Sequence, residues 1–258
     1  MTITTLDVAA GRVSFGRVLH GEWIKFVTLR SNVPVFVAVV VGLAVMGMLP
    51  AIAAGADSGL SAGVAAQDVL GSMSWVQLLV AIPAVVFLAS EYTSGSARVT
   101  FLAVPTRIPV LLGKQLAVAV PAGLAGATGA AIAFIGNALL LEAPPAVEVA
   151  MRAAAGAGLY LAAIAALSVA MAAIIRHLVG AMLAVAALLT VAPFAVALIP
   201  IEWVQRAAAW LPTPAGQLVF LPDNLDASLS WWGGYLVLLA WMAGATLVAG
   251  VLLRARDV

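Results

Sequence analysis

Six stretches of this chain contain no Asp, Glu, Lys or Arg at all: residues 33–54, 74–90, 115–141, 153–175, 178–199 and 231–253. At about 1.5 Å of rise per residue, such runs suit helices that cross about 30 Å of hydrocarbon. No other constraint on the fold is as strong, because only helices and closed barrels satisfy every backbone polar group in lipid. Composition agrees. The 258 residues are 64% hydrophobic and 9% charged, whereas soluble domains average about 45–50% and about 25%. A soluble enzyme is excluded. A net charge of +1 with no dense Lys/Arg cluster argues against a nucleic-acid binder, and without cysteine there are no disulfides or thiolate metal sites. The expected fold is an all-α integral membrane protein with six transmembrane helices.

The second run is the shortest and can extend past Glu91, and the fourth and fifth are separated only by Arg176 and His177. Pro83, Pro121 and Pro193 lie inside runs, where they predict local kinks. Before the first run, residues 12–31 read as an amphipathic helix in the membrane interface, not as a cleaved signal. At 100° per residue Phe15, Leu19, Trp23 and Phe26 share one side and Arg17, Gly21, Lys25 and Thr28 the other. Glu22 projects among the apolar residues and needs a cationic or hydrogen-bonding partner there, with Arg98 or another residue of the 91–114 segment as candidates. Residues 200–230 are too polar to span and too apolar for a solvated loop. They predict a short interfacial or re-entrant helix broken at Pro212 and Pro214, or an ordered external cap.

The basic residues sort the ends of the runs. Arg12, Arg17, Lys25, Arg30, Arg98, Arg107, Lys114, Arg176, Arg254 and Arg256 fall at one set, and only Arg152 and Arg206 at the other. The positive-inside rule then places both termini in the cytoplasm of a multi-pass cell-membrane protein. Trp75, Trp203, Trp210, Trp231 and Trp232 gather at the outer ends as an aromatic belt.

Much of the usual chemistry is missing. Lys114 follows a single glycine and precedes Gln115, so no phosphate-cradling loop of the G-x-x-x-x-G-K-[ST] kind exists. There is no H-E-x-x-H. Ser168 and His177 stand nine residues apart, roughly 13 Å along one helix, too far to act as nucleophile and base. The interior polar residues are neutral ones, Gln77, Thr128, Asn137, Ser168 and Thr190, which suit interhelical hydrogen bonding. No run carries an ionisable residue at its centre, as an ion-coupled transporter would. Any energy source must lie in another chain.

Residues 91–114 read E-Y-T-S-G-S-A-R-V-T-F-L-A-V-P-T-R-I-P-V-L-L-G-K. Physically this is a short helix or turn around Gly95 and Arg98, stopped before Pro105, then a second helix leading into the third span. The spacing resembles the loop after the second span in permeases of the second type of ATP-binding-cassette (ABC) exporter. That pattern has an acidic-aromatic pair, then Gly, Arg, Pro, Arg and Lys at fixed offsets. Glu91, Tyr92, Gly95, Arg98, Pro105, Arg107 and Lys114 fall in register with it. The stretch E-W-I-K-F-V-T-L-R-S, with Glu22, Trp23, Lys25 and Arg30, resembles the same family's lead-in to its first span, although Gly21 stands where Ser is usual. Phe101 likewise replaces a commoner Leu. L-P-T-P-A-G-Q, from Leu211 to Gln217, is a weaker third likeness.

The resemblance implies one permease domain over residues 1–258, with no ATPase site and no bound cofactor. Two copies of a separate ABC ATPase would supply ATP and Mg chemistry, and a second permease subunit would complete the pore. Segment 91–114 would dock in the ATPase, and helix 12–31 would be the family's interfacial connector. Charge-poor span faces favour a lipid, peptide or drug-like substrate. A non-transporting membrane assembly or immunity protein is the alternative, and an intramembrane enzyme is a poor third.

Overall fold

The computed structural model describes residues 14–54, 72–96, 107–140, 146–220 and 229–255. All regular structure among them is helical. Helix α1 (Phe15–Thr28) starts at Ser14, whose side chain accepts a hydrogen bond from the Arg17 N–H. Next come α2 (Asn32–Ala54), α3 (Met73–Thr93), α4 (Ile108–Leu140) and α5 (Val147–Ile175). The fifth span is composite. It consists of α6 (Leu178–Ala186), a π-helical turn (Ala187–Val191) and α7 (Ala192–Ala197). Short helices α8 (Glu202–Ala208) and α9 (Pro212–Gln217), with a 3-10 turn (Leu218–Phe220), precede α10 (Trp231–Ala255). Six of these elements are long and apolar enough to cross a bilayer, counting α6 to α7 as one. This is the architecture of a multi-pass membrane protein.

Two spans begin earlier than their apolar runs suggest. Helix α4 starts at Ile108, with Pro109 in its first turn where the missing N–H costs nothing. Its 33 residues make a rod about 50 Å long, so its first turns lie beyond the apolar stretch. Helix α5 starts at Val147 and not at residue 153. The expected break at Pro212 and Pro214 is also corrected. Both prolines sit in the first turn of α9, and Leu211 before them takes the extended backbone that a pre-proline residue favours.

The π turn has a local cause. Pro193 has no N–H to give the Leu189 carbonyl four residues earlier, and its ring crowds that carbonyl. The ladder widens, and Ala192 N–H reaches back to Ala187 O. At the other end of the span, Arg176 adopts a left-handed conformation (φ 57°) that closes α5. His177 then caps α6, with Nδ1 accepting from the Gly180 N–H at 3.0 Å. One left-handed residue and one cap make the tight corner between two spans.

Helix α5 is the axis of the bundle. In its apolar stretch 72% of residues are buried, against 28% in the first span, 17% in the fifth and 22% in the last. It can be central because small residues are spread through its buried positions, between larger ones such as Tyr160, Leu161 and Ile164. A Cβ on Gly158 would lie 2.7 Å from the Gly123 carbonyl of α4, so the two helices meet backbone to backbone, as small residues allow in membranes. Glu22, Lys25, Glu91, Lys114, Arg107 and Arg176 all lie at one end of the bundle, joined to one another or to the end of α10. We call this the basic end.

Candidate functional site

Four charged side chains from three helices converge at the basic end. Glu22 and Lys25 lie one turn apart on α1, Glu91 is three residues from the end of α3, and Lys114 sits in the second turn of α4. The Lys114 ammonium lies 2.5 Å from Glu22 Oε2 and 2.7 Å from Glu91 Oε1. It also stands 4.5 Å above the centre of the Phe87 ring. Lys25 closes the ring of charges, donating to Glu22 Oε1 at 2.8 Å and to Glu91 Oε1 at 3.3 Å. Two cations and two anions cancel, which lets Lys114 and Glu22 be buried while Lys25 stays partly exposed.

The aromatic wall beside the cluster fixes its geometry. Phe87 meets Phe26 edge to face at 5.1 Å, and Phe26 meets Phe36 of α2 at 5.9 Å. Asn32, at the start of α2, donates to the Phe26 carbonyl at 2.8 Å and so ties off α1. The two lysines differ in kind. The Lys114 side chain is 1% exposed and that of Lys25 is 44% exposed. Burial pulls the Lys25 ammonium toward deprotonation, but the carboxylates of Glu22 and Glu91 outweigh it and leave its pKa above the ordinary lysine value.

A second knot lies alongside. Arg107, just before α4, donates to the Leu253 carbonyl, and Arg176 donates to the Leu252 carbonyl at 3.4 Å. Both carbonyls belong to the last turn of α10, where a helix has unsatisfied acceptors and its dipole favours cations. The Arg176 guanidinium also lies over the Tyr92 ring, 5.4 Å from its centre. Thus α10 is fastened to Arg107, inside segment 91–114, and to the corner at Arg176, both far away in sequence.

Glu22 has the expected cationic partner from segment 91–114, namely Lys114, and a second one in Lys25 of its own helix. Arg98 and Pro105 lie outside the described residues. The face that α1 packs on the bundle is centred on Glu22. Val18, Glu22 and Phe26 are buried, at i, i+4 and i+8, while Phe15 and Trp23 are largely exposed. The helix is rotated so that Glu22 meets Lys114, because an unmet buried carboxylate would cost more than two exposed aromatic edges. Arg30 is exposed. Gly95 holds the left-handed φ of 72° that ends the α3 turn, a conformation other residues rarely adopt. Arg176 and Phe87 are functional neighbours that the sequence does not single out. Only the placement of Arg176 between two apolar runs hints at a boundary role.

No protein-family model matches this chain, and no curated protein matches it.

Proposed function

We propose that this chain is the permease subunit of an ATP-driven ABC exporter for a hydrophobic or amphipathic substrate such as a lipid, peptide or drug-like molecule. In this reading two copies of a separate ATPase bind at the basic end. A second permease subunit completes the assembly, and both termini face the cytoplasm of the cell membrane. The observation that supports it most is the four-charge cluster. It binds α1 to both helices that bracket segment 91–114, so a displacement of that segment moves α1, α3 and α4 as one body. The arginine pair extends the linkage to α10. A partner that pushes on this segment would move four elements at once, which is what coupling to an external ATPase requires. A chain without a phosphate loop or a midplane carboxylate needs such a partner to do work.

The test is to express the full chain with the ATPase that co-purifies with it, crosslink through a cysteine at Ser94, and measure ATP turnover with and without substrate. A nucleotide-hydrolysing chain crosslinked at Ser94 is the expected result. Glu91→Gln should keep the complex but reduce substrate-stimulated turnover about tenfold, a loss of one charge-assisted contact. If the chain captures a partner with no ATPase activity, the exporter reading fails and a membrane assembly role takes its place.

A further inference from the structure

At the end of the bundle away from the charge cluster, α9 and the 3-10 turn, residues 212–220, lie folded over α3, α5, α10 and the π turn. Their seat is smooth. Gly156 lies under Val219, Gly234 under Ala215, and Gly216 against Tyr160 and Leu238. Val219 and Phe220 reach into the apolar core, and the Phe220 ring meets Tyr160 edge to face at 5.6 Å. Among the described residues, Thr213 and Gln217 tie this segment to the bundle through polar side chains. Gln217 donates to Ser74 Oγ at 3.0 Å.

Thr213 makes the more telling contact. Its hydroxyl lies 2.8 Å from the Leu189 carbonyl and 3.2 Å from Gln77 Oε1. One hydroxyl proton cannot serve both, and the shorter contact claims it. Leu189 O is the carbonyl that Pro193 deprives of its α-helical donor. Gln77 Nε2 also reaches it, at 3.3 Å, and donates to Ser74 O at 3.0 Å. Gln77 Oε1 is supplied by the Tyr160 hydroxyl at 2.5 Å. Gln77, Tyr160 and Thr213 are all buried, so each bond here replaces no water.

We propose that residues 212–220 form a lid, latched shut by Thr213 on the carbonyl to which Pro193 has no N–H to give. The proline withholds the α-helical donor, and the threonine supplies one only while the lid is seated. Lifting the lid uncovers the Gln77–Tyr160 pair inside the bundle, a polar floor framed by Leu238 and the α5 backbone. In an exporter this would be an opening at the far side, but the latch stands whether or not the chain is one.

The latch predicts energetic coupling between Pro193 and Thr213. The chain has no native cysteine, so Ala215→Cys, fully buried on the inner side of the lid, reports lifting through its rate of thiol labelling in the detergent-solubilised full chain. Thr213→Val should raise that rate about tenfold, the cost of one lost buried hydrogen bond, while Thr213→Ser should leave it near the parent rate. Pro193→Ala restores a backbone N–H to Leu189, so it should also raise the rate. The Pro193→Ala, Thr213→Val pair should then label no faster than Thr213→Val alone. As a reference, Ala165→Cys, buried in the middle of α5, should label at the parent rate in every background. Additive effects of the two substitutions would overturn the latch, as would an unchanged rate in Thr213→Val. A parallel rise at Ala165→Cys would also overturn it, because that would be general loosening.

Discussion

Lys114 is the residue on which most of the basic end depends. Replacing it with Met leaves the carboxylates of Glu22 and Glu91 buried with only Lys25 between them, and breaking a buried pair from one side costs about 3–5 kcal/mol. Lys114→Met should therefore lower the thermal midpoint of the solubilised chain sharply, and adding Glu22→Gln should recover part of the loss. Lys25→Ala, at a half-exposed position, should cost about 1 kcal/mol or less. The pH dependence of Lys25 follows from its raised pKa. A raised lysine contributes fully below its unfolded value and loses that contribution as pH rises through the folded value. The tie between α1 and α3 should persist through neutral pH and weaken only in alkali above about 10.4. Hydrogen exchange of α1 amides, compared at neutral and alkaline pH after correction for intrinsic rates, checks this.

At the scale of elements, the sequence defines spans better than neighbours. Each run of uncharged residues became a helix because hydrocarbon leaves a backbone no other option. Lys114 was legible as a charge at a boundary but not as the second turn of α4, because the apolar run begins only after it. The rotation of α1 against the bundle was not legible for a related reason. Periodicity gathers Phe15 and Trp23 on one side, but which side meets the bundle is set by one carboxylate seeking one ammonium across 92 residues of chain. The lid was half legible. Its apolar-polar mixture announced a segment lying against the bundle, but nothing local says that Thr213 meets Leu189. Close packing gives a paired expectation for glycines. Gly158→Val should force α4 and α5 apart and cost at least about 1–3 kcal/mol. Gly21→Ala, with open space around its Cβ position in mid-helix, should stabilise α1 by about 0.5–1 kcal/mol. Thermal midpoints of the two variants should move in opposite directions.

For the whole molecule, the uneven distribution of Lys and Arg makes a prediction about sidedness. Ser94 and Ala207 lie at opposite ends of the bundle, in the turn after α3 and in α8. In intact cells an impermeant thiol reagent should label Ala207→Cys, and should label Ser94→Cys only after permeabilisation. The reverse pattern would invert the protein and remove the ATPase from the end where the charge cluster lies. The axial helix also dictates how the molecule should be interrogated. Ala153, Ala157, Ala163, Ala165, Ala166, Ala170, Ala172 and Ala173 of α5 are all buried, so a scan by truncation reads only the large neighbours among them, Tyr160, Leu161, Ile164, Leu167 and Val169. An alanine scan would pass over the small positions in silence and give the impression that they are tolerant. Adding one methylene at a time reverses that blindness, because at a position without bulk to lose, sensitivity appears only when bulk is gained.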